Sequence, residues 1–255
     1  MLRTRIIPAL LLHDESLVKT VNFRKFTYIG DPCNTVRIFN ELEVDELIFL
    51  DISAAKRNLE PNKKILKDIA NECFMPLGYG GGIRNLAQAE EILKIGFEKI
   101  VINSYAYENP EFITQLADKF GSQAVIVSID VKKNYWGHSR VYIKGGTKKT
   151  NIHPLEWAKK VESLGAGEIL LTSIDKEGSW SGFDIDLIRP ITQSISIPLI
   201  AHGGGGNIEH ITEVVKNGGA AAIALGSMVV FQKKGMGVLI NFPDKKTLEK
   251  ELELT

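Results

Sequence analysis

The stretches MPLGYGGG (75–82) and IPLIAHGGGG (197–206) decide the fold, because each leads from a buried strand into a run of glycines. Gly80-Gly81-Gly82 in the first stretch pairs with Gly203-Gly204-Gly205 in the second, at an offset of 123 residues. Repetition at a fixed spacing is the signature of an architecture built from similar units. The two stretches therefore indicate a chain made of two matching halves.

Eight short runs of β-branched and apolar residues predict parallel strands covered on both faces. They lie at 5–12, 46–53, 75–80, 99–104, 124–130, 168–175, 197–203 and 221–227. Helix-length amphipathic segments separate most of them, at 87–96, 110–121, 155–167 and 208–219. The intervals between strand starts are 41, 29 and 24 residues in the first half, and 44, 29 and 24 in the second. This pattern predicts an α/β fold, a single (β/α)₈ TIM barrel over residues 1–255 made of two similar half-barrels, with a doubly wound open sheet as the alternative.

Composition limits the possible functions. Lys plus Arg total 31 and Asp plus Glu total 31, and this zero net charge argues against bulk nucleic-acid binding. Cys33 and Cys73 are too few for a disulfide framework and fit a reducing compartment. The apolar run before His13 is too short to span a membrane, and the five histidines lack metal-ligand spacing. We expect a cytoplasmic protein with no metal, cofactor, nucleic-acid or membrane partner.

Small residues after the strands of each half predict two symmetric phosphate sites. The first set is Gly81, Gly82, Asn103 and Ser104, and the second is Gly203, Gly204, Gly226 and Ser227. Glycine lets the backbone approach an anion, and the next helix directs its free N–H groups and positive dipole end toward that anion. Two such sets in one barrel predict a ligand with a phosphate at each end, and tight turns alone are the alternative.

Carboxylates at strand ends predict catalytic or substrate-positioning groups, because a (β/α)₈ barrel carries its active site there. Asp51, Asp130 and Asp175 each end an apolar strand, and Glu177 follows in the IDKEG turn. By the internal symmetry, the partner of Asp130 belongs near position 11, which is Leu11. A pair of acids that could share proton transfer is therefore broken.

Four charged residues stand at or just before strand starts, at the opposite end of the predicted barrel. They are Arg5, Glu46, Lys99 and Glu168. Two cations and two anions around the bottom mouth could form a gate, or only a stabilising cluster of salt bridges.

Long intervals after the first and fifth strands predict long loops on the active face, at 12–31 and 131–153. Loops of this length in a compact domain are usually lids or binding loops, and a surface excursion is the alternative.

With these residues in place, the chain resembles the cyclase subunit of imidazole glycerol phosphate synthase from residue 5 to about Phe231. The resembling blocks are VKTVNF, GDPCNTVRIFNELEVDELIFLDISA, GYGGGIRN, KIVINSYAYENPEFI, DKFGSQAVIVSID, GAGEILLTSIDKEG and HGGGGNIEH. The resemblance implies a barrel that binds a ribotide with two phosphates. It also implies a glutaminase subunit docked at the barrel bottom, with ammonia entering through a gate formed by Arg5, Glu46, Lys99 and Glu168.

The resemblance assigns roles to further residues and also exposes a departure from the family pattern. Lys19 matches a loop lysine that contacts substrate, Asp130 matches one of two catalytic aspartates, and Glu177 and Gly178 match substrate-binding positions. The other aspartate is replaced by Leu11, within Ala-Leu-Leu-Leu where the family has Cys-Leu-Asp-Val. Because leucine cannot transfer a proton, this loss costs roughly 10²–10⁴-fold in rate.

The leucine-rich first strand and the tail VLINFPDKKTLEK (238–250) resemble a diverged group of cyclase-like proteins linked to surface-polysaccharide (lipopolysaccharide O-antigen) synthesis. That resemblance implies delivery of ammonia to an ATP-dependent sugar-amidating enzyme. An active cyclase of histidine biosynthesis is the first alternative. A stand-alone binding protein for a bis-phosphate metabolite is the second.

Overall fold

The computed structural model describes residues 4–253, which contain twelve strands and eleven α-helices. In chain order the strands are β1 (Arg5–His13), β2 (Ser16–Val21), β3 (Arg24–Gly30), β4 (Leu47–Asp51), β5 (Leu77–Gly80), β6 (Lys99–Ile102), β7 (Val125–Lys133), β8 (Ser139–Ile143), β9 (Lys148–Lys149), β10 (Glu168–Ser173), β11 (Leu199–His202) and β12 (Ala222–Leu225). The helices are α1 (Pro32–Glu41), α2 (Ala54–Arg57), α3 (Lys63–Glu72), α4 (Leu86–Ile95), α5 (Ser104–Glu108), α6 (Glu111–Phe120), α7 (Pro154–Ser163), α8 (Ile185–Thr192), α9 (Ile208–Lys216), α10 (Ser227–Val230) and α11 (Lys245–Glu253).

Eight of these strands form a closed parallel barrel in the order β1, β4, β5, β6, β7, β10, β11 and β12. The barrel closes where β12 pairs with β1, with Arg5 opposite Ala222. Each barrel strand overlaps one of the eight predicted runs, so the predicted (β/α)₈ barrel is confirmed. The doubly wound open sheet is excluded, because an open sheet has two edges and this barrel has none.

The prediction of long loops after the first and fifth strands is wrong. β2 and β3 continue β1 as antiparallel strands, and β8 and β9 continue β7 in the same way. The segments SLVKTV and SRVYI are rich in β-branched and aromatic residues, which favour strands. β3 pairs only with β2 among the described strands, and its first five residues are all exposed.

Matching helix caps in the two halves show the internal symmetry at the level of single residues. Asn85 caps α4 by accepting a hydrogen bond from the backbone N–H of Gln88. Asn207 caps α9 in the same way, accepting from the N–H of His210. A side-chain oxygen at this position satisfies one of the free N–H groups that every helix start carries. The two caps lie 122 residues apart and place both helices identically after their glycine runs.

The strand pairings place both halves in the same register. Leu11, Leu50 and Gly80 lie side by side on β1, β4 and β5. Their counterparts on β7, β10 and β11 are Asp130, Thr172 and His202. The counterpart of Gly80 is therefore His202 rather than Gly203, so the pairing of the glycine runs inferred from the sequence shifts by one residue. The glycines with positive φ then correspond, Gly81 and Gly82 to Gly203 and Gly204.

The barrel has two apolar layers. A large core lies between the strands and the surrounding helices, and a smaller one fills the barrel axis. The axial residues are Ile7, Ala9, Ile48, Val101, Ile126, Leu170, Ile200, Ala222 and Ala224. Both cysteines are free thiols. Across residues 4–253, the helices are too short or too polar for any of them to cross a membrane.

Candidate functional site

A cavity of about 280 Å³ opens at the C-terminal ends of the barrel strands, where barrels of this class place their sites. Both halves of the barrel contribute to its wall. The predicted residues in this wall are Leu11, Asp51, Gly81, Gly82, Asn103, Ser104, Asp130 and Glu177, and His202 also lines it. This volume is close to the lower end of the range for small-molecule pockets.

Asp130 is the titratable group most strongly perturbed toward neutral pH in this wall. Its Oδ2 accepts a hydrogen bond of 2.9 Å from Asn103 Nδ2. The pKa of Asp130 is raised to about 7, mainly by burial and to a lesser degree by the charge of Glu177. Hydrogen bonds from Asn103, Ser128 and Thr172 stabilise the carboxylate and oppose the shift. A carboxyl group that titrates near neutrality is suited to general acid–base chemistry.

His202 extends this polar group across two strands. Its Nδ1 shares a hydrogen bond of 3.1 Å with the Thr172 hydroxyl, and the imidazole is buried. The pKa of His202 is lowered to about 4, mainly by burial and to a lesser degree by the Lys19 ammonium, while the charge of Glu177 opposes the shift. The imidazole is therefore neutral at pH 7. Asp130, Thr172 and His202 form a continuous polar chain on the second half of the barrel.

The first half supplies an apolar wall at the equivalent positions. Leu11 lines the cavity and is 5% exposed, and it lies beside Leu50 on the neighbouring strand. Val101 continues this wall on β6. Among the described residues at the level of Asp130, the first half contributes only Leu11, Leu50, Gly80 and Val101, none of which is ionisable. At this level the cavity thus has an acid on one side and an apolar surface on the other.

Lys19 and Glu177 are brought together as a buried ion pair. The Lys19 Nζ contacts Glu177 Oε1 at 2.5 Å, and both side chains are almost fully buried. Glu177 Oε2 also accepts a hydrogen bond of 3.1 Å from the backbone N–H of Phe23, in the turn between β2 and β3. Asn22 donates to the carbonyls of Ile174 and Asp175 at 2.9 Å. These contacts hold the β2–β3 hairpin down against the loop after β10.

The two predicted phosphate sets differ in their access to the cavity. The first set lines the cavity, and Ser104 Oγ there accepts a hydrogen bond of 2.8 Å from the Lys144 N–H. The second set does not belong to the cavity wall. The Lys19 side chain packs on Gly226, where an added Cβ would lie 2.6 Å from Lys19 Cε.

Gly178, the predicted substrate-binding residue after Glu177, leaves room for the β2–β3 hairpin. An added Cβ at this position would lie 2.5 Å from the Thr20 carbonyl oxygen.

Two of the predicted carboxylates hold local structure. Asp51 Oδ1 accepts from the Ser53 hydroxyl and from the N–H groups of Ser53 and Ala54, at 2.7 to 3.0 Å. Asp175 Oδ2 accepts a bond of 2.8 Å from the Lys133 N–H. Asp51 still lines the cavity, whereas Asp175 is not part of its wall.

Sequence reasoning missed several residues of the cavity wall. They are the hydrogen-bonding Ser128 and Thr172 and the cations Lys56, Arg84 and Lys144. Ser128 could have been found as the residue two positions before Asp130, since alternate residues of a strand face the same side. Lys56 lies on the four-residue helix α2 and Arg84 and Lys144 lie on loops, and no periodic pattern marks any of them.

The four charged residues at the bottom form a closed ring of ion pairs. Arg5 contacts Glu46 at 2.6 Å and Glu168 at 3.0 Å. Lys99 contacts the same two carboxylates at 2.9 and 3.0 Å. Cations and anions alternate around the ring, which lies below the apolar residues of the barrel axis. The ring and the cavity therefore lie at opposite ends of one barrel interior.

Within the described part of the chain, no three His, Cys, Asp or Glu side chains cluster as metal ligands would. The fold and site define a two-half (β/α)₈ barrel with a small-molecule cavity at one end and a charged ring at the other. The chain belongs to the family described as histidine biosynthesis protein, whose sequence profile matches residues 5–234.

Relatives from several organisms cover nearly the whole chain. A Pseudomonas aeruginosa protein, named provisionally as imidazole glycerol phosphate synthase subunit hisF2, is 47% identical over 98% of this chain and 99% of its own length. A Leptospira borgpetersenii protein with a similar provisional name is 48% identical, over 97% and 99%. The imidazole glycerol phosphate synthase subunit HisF of Streptococcus mutans is 46% identical, over 84% of this chain and 85% of its own length. The chain is thus a homologue of this synthase subunit.

Proposed function

We propose that this chain is the barrel subunit of a glutamine amidotransferase complex that passes ammonia from a glutaminase to a separate enzyme. The observation that carries the proposal is the pairing of an intact charged ring with a cavity that has lost one of its two acids. The ring residues Arg5, Glu46, Lys99 and Glu168 are joined by four ion pairs. Leu11 occupies the register position that answers to Asp130. In this proposal the path for ammonia through the barrel is retained, and the proton-transfer chemistry of the cavity is weakened.

The glutaminase docks on the face that carries the ring, and ammonia follows the barrel axis. The ring holds two cations and two anions and has no net charge, so discrimination between ammonium and neutral ammonia falls to the apolar axis beyond it. Beyond the ring the axis is apolar, and three of the nine residues packed there are the small Ala9, Ala222 and Ala224. An apolar passage disfavours any ion, because a desolvated charge costs several kcal/mol. The interior therefore suits transfer of the neutral molecule.

The acceptor enzyme is an ATP-dependent enzyme that amidates a sugar in surface-polysaccharide synthesis. The sequence resemblance to the diverged cyclase-like group supports this assignment, and so does Leu11 at the register position that answers to Asp130. A phosphorylated ligand at Gly81, Gly82, Asn103 and Ser104 remains part of the proposal.

An active cyclase of histidine biosynthesis is the second candidate. It would convert the phosphoribulosyl aminoimidazole carboxamide ribotide and ammonia to imidazole glycerol phosphate. Asp130, with its pKa near 7, favours this candidate, as does the name of the Streptococcus mutans relative. The purified chain, assayed with the ribotide and excess ammonium salt, separates the two. We expect little or no turnover, and a rate of about 1 s⁻¹ or more would establish the cyclase instead.

Replacing Lys99 with alanine tests the ring as a gate. We expect glutamine hydrolysis by the bound glutaminase to continue while less nitrogen reaches the acceptor, because the opened ring leaks ammonia. The measurement is the ratio of acceptor aminated to glutamine consumed. Lys94→Ala is the matched control, since Lys94 pairs with Glu90 on the outer surface of α4. A ratio equal to that of wild type would reduce the ring to a salt-bridge cluster.

A further inference from the structure

The two hairpins on the cavity side concentrate positive charge in a protein that is neutral as a whole. Residues 16–30 and 131–153 together contain nine Lys or Arg and no Asp or Glu. The rest of the chain therefore has a net charge of minus nine. Lys19, Lys133 and Lys144 have acidic partners elsewhere in the fold. Arg24, Lys25, Lys148 and Lys149 are exposed.

The same hairpins expose large aromatic side chains. At the turn between β7 and β8, Tyr135 is 96% exposed and Trp136 is 78% exposed. On β3, Phe26 and Tyr28 are more than half exposed. Aromatic residues and arginine are enriched at protein interfaces and dominate their binding energy. We call these four aromatic residues and the four exposed cations the rim surface.

The two hairpins that carry the rim surface border the cavity. Thr20 and Phe23 of the first hairpin line the cavity, as do Lys144 and Gly145 after β8. The hairpins also meet each other, since an added Cβ on Gly146 would lie 3.0 Å from a ring carbon of Phe23. A molecule bound to both hairpins would cover the opening.

We propose that the rim surface docks an acidic face of the ammonia-consuming enzyme and seals the cavity against it. This rests on the proposed function, because a small neutral molecule released into water is lost unless its exit is enclosed. Charge complementarity identifies the sign of the partner surface, and the exposed aromatics supply the contacts that bind it. The rim surface lies at the opposite end of the barrel from the ring, so glutaminase and acceptor enzyme bind at the same time.

The test reconstitutes this chain with a glutaminase subunit and an ATP-dependent sugar-amidating enzyme from its source organism. One variant carries Tyr135→Ser and Trp136→Ser, and a second carries Lys148→Glu and Lys149→Glu. Lys246→Glu with Lys250→Glu on α11 is the control for the second variant, because it makes the same change in charge away from the rim surface. We expect both rim variants to bind the amidating enzyme at least about tenfold more weakly, since aromatic anchors and charge pairs carry most interface affinity. Glutamine-dependent amidation should fall with binding, while amidation from ammonium salt is unchanged.

The outcomes separate this inference from the proposed function. If wild type transfers nitrogen and the rim variants transfer and bind equally well, the rim surface is not the docking site, although the ammonia route stands. If wild type transfers none, the proposed function fails first. Micromolar binding of a single-stranded oligonucleotide or of anionic lipid vesicles, lost in both rim variants, would assign the surface to a polyanion and overturn the inference.

Discussion

The two halves of the barrel share one backbone plan and carry opposite chemistry. At the level of the cavity, the first half presents Leu11, Leu50 and Gly80, while the second presents Asp130, Thr172 and His202. These are the same register positions on equivalent strands. The difference teaches that internal symmetry fixes where a side chain stands and leaves its chemistry free to diverge.

The asymmetry reverses at the bottom of the barrel. Lys99 lies on β6 beside Gly78, and its counterpart on β12, beside Ile200, is Ala222. Arg5 likewise belongs to the first half, so both cations of the ring come from that half. Glu46 and Glu168 are counterparts and supply one anion from each half. The first half therefore dominates the charged end, and the second half dominates the reactive end.

The largest expected effect comes from making the two halves alike at Leu11. Leu11→Asp restores a second acid opposite the polar chain, and we expect cyclase turnover with ammonium salt to rise about 100-fold over wild type. The measurement is the formation of imidazole glycerol phosphate. Leu11→Asn is the control, because it has nearly the same shape as aspartate and transfers no proton. Equal rates for the two variants would mean that the missing acid is not what limits the reaction.

The next effect concerns pH, because folding raises the pKa of Asp130 and lowers the pKa of His202. The folded pKa of His202 is about 4, below its ordinary 6.5, so its contribution to stability is lost as pH falls from 6.5 through 4. The folded pKa of Asp130 is about 7, above its ordinary 3.8, so its contribution is lost as pH rises from 3.8 through 7. In wild type the two slopes largely cancel.

Single variants should expose these slopes. As pH rises from 4 to 6.5, the free energy of unfolding of Asp130→Asn should increase relative to wild type by up to roughly 1.4 kcal/mol for each pH unit. Over the same range, that of His202→Asn should decrease relative to wild type by a similar amount. Urea unfolding of the three proteins at pH 4.5, 5.5 and 6.5 gives the difference in free energy of unfolding between each variant and wild type. Titration of groups elsewhere in the chain cancels in these differences. Parallel stability curves would show that neither group is perturbed as described.

The smallest effect concerns phosphate. Ser104 lines the cavity, whereas Ser227 is buried and Lys19 covers the neighbouring Gly226. We expect Ser104→Ala to weaken binding of inorganic phosphate several-fold, about the effect of one hydrogen bond, and Ser227→Ala to change it less than about twofold. Calorimetric titration measures both. Equal losses would show that the second half binds phosphate as readily as the first.

The sequence was sufficient for the barrel because the barrel rests on repeated local signals. Strand spacing and continuous apolar runs gave eight strands in two halves, and the symmetry placed Leu11 opposite Asp130. β3 was missed because it has five exposed residues in succession and so lacks a burial pattern. β2 was missed although its four central residues are buried, so its β-branched segment SLVKTV was a signal that could have been used.

The contacts inside the site depend on distant parts of the chain. Lys19 and Glu177 are 158 residues apart, and Thr172 and His202 are 30 apart on separate strands. Which side chains face each other depends on strand register, and a single-residue shift reverses the face of every side chain on a strand. The mistaken pairing of Gly80 with Gly203 is such a shift, and it concealed His202 as the counterpart of Gly80.

The outer edge of β3 bears on how the protein behaves in concentrated solution. A strand with one unpaired edge offers its backbone N–H and C=O groups to any other extended chain, and this is a route to aggregation. Arg24 and Lys25 place two like charges on that edge, and register shifts between β2 and β3 twist it away from a flat ladder. Replacing these two basic residues with β-branched ones would remove the charge repulsion and favour intermolecular strand pairing at this edge.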